Sequence, residues 1–228
     1  AVTDIQAAAD IAHKHGAKLL TDCTGTPPIA TKALNFGADI SLHSATKYLN
    51  GHSDVTAGSL STRDTGPYWE NLAMTRRRMG LVLHSFDAFL LIRGMRTLLL
   101  RYERSTQNAN RIAYHFDDHA LIEKVLYPGL PSHPGHAIQA AQTGRLFGGM
   151  MSIIVKGTEK TAVDVTRFCN VFYPATSLGG VESLIEHRAT VSGPNFPVDP
   201  RLLRLSIGIE DAGDLIDDLE QALERANA

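Results

Sequence analysis

The sequence predicts an α/β fold in which a parallel sheet with crossover helices is followed by a smaller α/β unit. Three patterns lead there. Residues 1–61 alternate helical periodicity with short apolar runs, the rhythm of strand–helix–strand units. Residues 82–119 carry one long helical pattern. Beyond residue 150 short strands again alternate with amphipathic helices. With the long helix as a bridge, the chain divides into residues 1–92, part of a larger domain, and residues 93–228, the bridge and a smaller C-terminal α/β domain.

Thr3, Asp4, Ile5 and Gln6 have the form of a capping box, and Ile5, Ala8, Ala9 and Ala12 recur at helical spacing until Gly16. Residues 17–21 read as a strand ending at Asp22. Pro27 and Pro28 suit the first turn of a second helix, which Gly37 would stop. A strand at 38–42 leads to Lys47, and another at 55–61 follows the loop 51–54, so the three strands are expected to be parallel. Within 82–119, Phe86, Phe89, Leu90, Ile92 and Leu98 supply an apolar stripe, and Arg93, Arg96, Arg101 and Arg104 a polar one. Gly94 interrupts this helix and marks a bend or a close contact. Residues 128–136 form a loop of turn formers, 150–155 a strand and 159–170 a helix. Ser177, Leu178, Gly179 and Gly180 make a turn in which glycine permits close approach. Residues 192–200 are irregular and proline-rich. The strand at 202–209 turns Leu203, Leu205 and Ile207 one way and Arg204 and Ser206 the other. A last helix at 214–226 puts Leu215, Ile216, Leu219 and Leu223 on one face.

Lys and Arg number 22 against 24 for Asp and Glu, a net charge of −2, so nothing points to nucleic acid or an acidic membrane surface as partner. Cys23 and Cys169 lack CxxC or metal-ligand spacing, which suits a reducing compartment, the cytoplasm, and no metal site. No apolar run approaches the ~20 residues of a membrane span, and no signal-peptide pattern is seen. The chain opens at Ala1 rather than Met, directly at the start of a helix, as if an earlier portion were missing.

The candidate site lies where the strand at 38–42 ends. Ser44, Thr46 and Lys47 crowd beside Gly51 at a strand end, which is where open α/β sheets place their chemistry. Hydroxyls and an amine suit an anionic oxygen cluster, and a lysine there can form a Schiff base with an aldehyde cofactor. A pyridine ring used as an electron sink needs a buried carboxylate at its nitrogen, and Asp22 ends the neighbouring strand. Alone, Lys47 reads as a solvated lysine and Asp22 as a loop carboxylate or helix cap; together, at neighbouring strand ends, they are expected to face one pocket, and the joint reading becomes the better one. Ser44 and Thr46 would then hold a phosphate. Arg204, opposite the apolar face of its strand, is either the bidentate partner of a substrate carboxylate or a surface arginine in an ion pair.

These residues carry a resemblance. Asp22-Cys23-Thr24 with Thr26-Pro27, His43-Ser44-Ala45-Thr46-Lys47-Tyr48 with Gly51-His52-Ser53-Asp54, Ser177-Leu178-Gly179-Gly180-Val181-Glu182-Ser183-Leu184, and Arg204-Leu205-Ser206-Ile207-Gly208-Ile209-Glu210 resemble, in order and nearly end to end, the trans-sulfuration family of Cys/Met metabolism. These are pyridoxal-phosphate enzymes such as cystathionine γ-synthase and γ-lyase, methionine γ-lyase and O-acetylhomoserine sulfhydrylase. The resemblance implies the later part of the large domain of a fold-type I pyridoxal-phosphate transferase, followed by its C-terminal domain. It implies pyridoxal 5'-phosphate as cofactor, with Lys47 as Schiff-base lysine, Asp22 at the ring nitrogen, Thr24 beside the ring, and Ser44 and Thr46 at the phosphate. Ser177 and Arg204 would recognise an amino-acid substrate, which would react at its γ (or β) carbon.

It also implies a homo-oligomer, dimer or tetramer. Family members are longer, and their earlier part supplies a glycine-containing phosphate loop, a ring-stacking aromatic and residues lent to a neighbouring subunit. The chain is therefore expected to be a fragment, or to be completed by another polypeptide. A folded, catalytically silent part of an assembly is the alternative of another class, and a fold-type I aminotransferase ranks below both. Cys23, Gly25 and Arg188 depart from the usual Asn, bulky residue and Pro. Thr176 stands where cystathionine-handling members often carry an acid, which speaks against fixing cystathionine as the substrate.

Overall fold

The computed structural model describes residues 1–193 and 198–228. Its first part runs α1 (Ile5–Lys14), β1 (Leu20–Asp22), a 3-10 helix (Ala33–Phe36), β2 (Ile40–Ser44), β3 (Gly58–Thr62) and α2 (Pro67–Arg78). α1 is capped by Asp4, whose Oδ1 accepts from the Ala7 N–H at 3.0 Å, one residue later than the expected Thr3 cap. Ile5 and Ala9 form its buried stripe, and Gly16, at φ +69°, ends it. The expected helix after Pro27 and Pro28 shrinks to the 3-10 helix, because Lys32 at φ −95°, ψ 71° leaves the helical region.

β1 and β2 pair in parallel, with Asp22 opposite Leu42, but β3 runs antiparallel to β2. The expectation of three parallel strands fails here because no helix intervenes between β2 and β3; only a helical crossover would return the chain parallel.

The single long helix also divides, into α3 (Ser85–Met95) and α4 (Leu98–Phe116). The break is stabilised by the Gly94 carbonyl, which accepts from Thr97 Oγ1 at 3.1 Å and from Arg101 Nη2 at 2.9 Å, so the end of α3 needs no further turn. Two expectations change in consequence. Arg101, assigned to the polar face, is only 7% exposed, its guanidinium also donating to the carbonyls of Tyr48 (3.0 Å) and Leu49 (3.5 Å). Phe86, Phe89 and Ile92, assigned to the apolar stripe, are exposed, because α3 packs inward through Leu91 and Gly94 instead. Of the two roles open to Gly94, the close contact holds: a Cβ there would stand 2.2 Å from the Asn50 carbonyl oxygen.

The remaining elements are β4 (Ile122–Leu126), α5 (His136–Thr143), β5 (Met150–Val155), α6 (Glu159–Phe168), β6 (Tyr173–Pro174), β7 (Leu184–His187), α7 (Arg188–Ser192), β8 (Leu202–Ser206) and α8 (Ala212–Asn227). The strands order as β4-β5-β8-β7-β6, antiparallel except for the β6–β7 pair. As the alternation requires, Leu203, Leu205 and Ile207 lie in the core, packed with Leu215, Leu219 and Leu223 of α8 and with Ile112 and Phe116 of α4. Each such side chain contributes roughly 1.5–3 kcal/mol over leaving it in water. The other half of α4 belongs to a different cluster, where Leu98 and Tyr102 meet Tyr48 and Leu49. One helix thus holds the turn after β2 against the second sheet. Of the irregular segment expected at 192–200, residues 194–197 lie outside the described residues.

Because the Asn50 carbonyl leaves no room at Gly94, Gly94→Ala should destabilise the fold by about 1–3 kcal/mol. Denaturant unfolding of the variant would read this as a lower midpoint, and an unchanged midpoint would mean that α3 is free to move away from the turn.

Candidate active site

Lys47 sits in the turn that follows β2, where the Lys47 N–H donates to the Ser44 carbonyl at 3.1 Å and the Gly51 N–H to the Lys47 carbonyl at 2.7 Å. Gly51, at φ +73°, closes the turn, and a Cβ there would stand 1.9 Å from Arg101 Nη1. Next along the chain, Tyr48 is 2% exposed, stacks edge-on against Tyr102 with 5.0 Å between ring centres, and accepts the Gly149 N–H on its hydroxyl at 3.1 Å. Burial pushes its phenol up to about 12, so it stays a neutral anchor. Gly179 approaches the same backbone, where a Cβ would come 2.7 Å from Tyr48 N; this is the close approach expected of that turn.

The Lys47 amine itself donates to Ser177 Oγ at 3.0 Å, across 130 residues of sequence. Two residues singled out separately therefore meet.

At the neighbouring strand end, Asp22 Oδ1 accepts the Thr24 N–H at 2.9 Å, and Thr24 Oγ1 accepts the Ser44 N–H at 2.8 Å. Thr24 thereby clips the ends of β1 and β2 together. Asp22 is exposed rather than buried, because β1 is an edge strand of its sheet. A cavity of about 450 Å³ opens beside it, lined also by Cys23, Thr26, Gln142 and Phe147; Lys47 is not on its wall. The Thr46 hydroxyl is already engaged, donating to the Ala57 carbonyl at 3.3 Å and accepting the Ala57 N–H at 3.0 Å. Ser44 Oγ has no partner among the described residues. Lys47, Asp22 and Ser44 together offer an amine, a carboxylate and an open hydroxyl at adjacent strand ends, groups of the kind that suit an aldehyde, a pyridine nitrogen and a phosphate, with Asp22 lacking the burial expected of it.

Residues near this set that depart from the family pattern have plain surroundings. Cys23 is buried, and that burial pushes its thiol up, away from the thiolate form. Gly25 has open space where a Cβ would stand, and its carbonyl accepts the Tyr102 hydroxyl at 3.1 Å. His43 was given no role from the sequence. Its Nε2 is buried without a partner among the described residues, and burial lowers its pKa while the Asp22 charge opposes. Also among the described residues, no group of three His, Cys, Asp or Glu side chains is placed to hold a metal ion, and no helix is long and apolar enough to cross a membrane.

Arg204 lies in β8 with Glu186 directly opposite in β7. Its Nη2 donates to Glu186 Oε2 at 2.7 Å and to the Ser177 carbonyl at 3.3 Å. Arg204 is therefore paired, and the same guanidinium reaches the residue that holds the Lys47 amine. Sequence reasoning missed Glu186, which is 5% exposed, and noted Arg188 only as a departure without a role; its Nη1 donates to the other carboxylate oxygen at 2.6 Å. Burial lowers the Arg204 pKa; Glu186 opposes that shift and Arg188 adds to it.

Comparison with known proteins gives the family of the chain. Residues 1–224 match the family model for Cys/Met metabolism PLP-dependent enzymes. The chain is 46% identical over 227 residues to the cystathionine gamma-synthase of Mycobacterium tuberculosis, covering 97% of this chain and 58% of that protein. It is 41% identical over 239 residues to the cystathionine gamma-lyase of Saccharomyces cerevisiae, covering 99% and 60%. Its fold matches, with a TM-score of 0.94 and 42% identity, the crystal structure of cystathionine gamma synthase from Xanthomonas oryzae pv. oryzae in complex with aminoacrylate and cysteine, covering 99% of this chain and 60% of that one. The yeast cystathionine gamma-lyase structure matches with a TM-score of 0.95 and 41% identity, covering 100% and 61%. The chain thus spans about three fifths of the length of these relatives. The expected fold class, that of the fold-type I pyridoxal-phosphate enzymes, is borne out by these structural matches. With nearly its whole length matched and the same fold recovered, the chain belongs to the family of Cys/Met metabolism PLP-dependent enzymes.

Proposed function

We propose that the protein is a pyridoxal-phosphate-dependent trans-sulfuration enzyme acting at the γ (or β) carbon of a sulfur-containing or homoserine-derived amino acid, in the manner of a cystathionine γ-synthase or γ-lyase. The observation that carries this reading is Ser177. Its hydroxyl accepts from the Lys47 amine at 3.0 Å and its carbonyl from Arg204 at 3.3 Å, so one residue separates a reactive amine from a carboxylate-binding guanidinium. That spacing suits an amino acid, whose reacting carbons and carboxylate are neighbours. Relatives named cystathionine gamma-synthase, gamma-lyase and beta-lyase lend the γ (or β) assignment further support.

In this reading Lys47 holds the aldehyde of the cofactor, Asp22 its ring nitrogen, Ser44 and Thr46 its phosphate, and Thr24 stands beside the ring. Ser44 has its hydroxyl open; Thr46 would exchange its 3.3 Å bond to Ala57 for the phosphate. Bound there, pyridoxal phosphate supplies an electron sink that allows bonds at the α, β and γ carbons of the substrate to break. The chain's own residues do the rest. Arg204 binds the substrate carboxylate through Nε and Nη1, which have no partner among the described residues, and so fixes the α carbon. Lys47, kept in place by the Ser177 hydroxyl, takes and returns protons at the α and β carbons as general base and acid.

The division of the chain at residues 92 and 93 remains part of this proposal, although it falls inside α3 (Ser85–Met95). Free thiols at Cys23 and Cys169 support a reducing, cytoplasmic setting, and a dimer or tetramer is proposed from the resemblance alone.

Borohydride reduction of the full-length enzyme with its cofactor, followed by peptide mapping, should find the pyridoxyl label on Lys47. A label on Lys18 or Lys32 instead would sink the assignment. Lys47→Ala should then lower turnover with homoserine esters, cystathionine or methionine by about 10²–10⁴ through loss of the base alone. Arg204→Ala should raise KM for the amino acid about 10- to 100-fold, the range for losing a charge-assisted hydrogen bond, and leave cofactor affinity unchanged. Equal loss of both would make Arg204 structural.

A further inference from the structure

Glu186 is a buried carboxylate facing two guanidiniums. Arg204 Nη2 donates to its Oε2 at 2.7 Å, and Arg188 Nη1 to its Oε1 at 2.6 Å. Charge balance decides what this cluster can bind. Glu186 and Arg204 alone would make a neutral pair, and a substrate carboxylate approaching Arg204 would meet Glu186 across the same guanidinium. Arg204 would also be free to turn its fork bidentately onto Glu186, the geometry that arginine and carboxylate favour. Arg188 changes both conditions. It occupies Oε1, leaving Arg204 only one oxygen of Glu186, and it brings the cluster to a net positive charge.

We propose that Arg188 is a positioning residue for the substrate carboxylate, holding Glu186 so that the Nε and Nη1 edge of Arg204 stays open and attractive to an anion. The geometry around Arg188 suits the task. It opens α7 immediately after His187, whose Nδ1 pairs with Thr190 Oγ1 at 2.7 Å and whose Nε2 pairs with the Pro200 carbonyl at 2.7 Å. With its neighbour pinned on both ring nitrogens, the direction in which Arg188 leaves the strand is set. The Glu186 backbone is fixed in turn by its place opposite Arg204 in the β7–β8 ladder. This inference rests on the reading above that Arg204 receives an amino-acid carboxylate.

The test uses the full-length holoenzyme and two ligands without a leaving group, L-norleucine and L-norleucinamide, with binding read by calorimetry. Wild type should prefer the acid. Arg188→Ala should weaken acid binding about tenfold or more, the scale for disturbing a buried charge pair, and leave amide binding within about twofold. Arg188→Lys should recover part of the loss. In a Glu186→Gln background the Arg188→Ala effect should disappear, because the buried charge that Arg188 balances is gone. Arg188→Gln, which removes the charge but keeps a polar, hydrogen-bonding side chain, carries the same comparison where Arg188→Ala does not fold.

Unchanged acid binding, parallel losses of acid and amide, or an undiminished effect in the Glu186→Gln background would each overturn the role of Arg188 while leaving Arg204 in place. A wild type that binds acid and amide equally would instead overturn the carboxylate assignment of Arg204 itself.

Discussion

The Arg101 guanidinium is the interaction on which the site depends. Residues 45–50 form a turn outside any sheet ladder, and two of its carbonyls, those of Tyr48 and Leu49, point at Arg101. Removing a guanidinium from water costs several kcal/mol, and burial accordingly lowers the Arg101 pKa. Three carbonyl acceptors offset that cost, the third being the Gly94 carbonyl at the end of α3. A single side chain therefore ends one helix, holds the turn that carries Lys47, and fixes how closely α3 approaches that turn. Tyr48 completes the attachment by accepting the Gly149 N–H just before β5.

The candidate residues at the strand ends could be picked out in the sequence because they are written in local order. Asp22, Ser44 and Lys47 follow short apolar runs, and their types alone restrict what they can hold. The alternation of Leu203, Leu205 and Ile207 likewise placed Arg204 on the face away from the core. What stayed hidden depends on partners distant in sequence. Arg101 looked like a residue of the wet face because its acceptors lie in another element, some fifty residues earlier. The antiparallel direction of β3 was written in the connection after β2, which holds no crossover helix, and not in the strand-like run itself, which looks the same in either direction. The exposure of Phe86 and Phe89 follows from the break between α3 and α4, which a side chain beyond the break helps to make.

Glu186 and Arg188 show the same limit at finer scale. The sequence places them two positions apart at the end of an unremarkable strand, with nothing to say that both matter to Arg204. Register supplies the link. Antiparallel pairing sets Glu186 directly across from Arg204, and a slip of one residue would turn its side chain to the opposite face of the sheet. A buried ion pair tolerates little such error, since a lone buried charge costs about 3–5 kcal/mol. The cluster thus ties the pairing of β7 and β8 to the electrostatics of the site.

The bond between Lys47 and Ser177 closes 130 residues of chain, and that between Tyr48 and Gly149 closes 101. Contacts of such span form late, after the loops they close have lost their freedom. During synthesis the Lys47 turn leaves the ribosome well before the segments that hold it, so its amine spends that interval without its final neighbours. Order around the Lys47 amine is consequently a property of the finished chain, and its final set of neighbours waits on the last strands of the second sheet.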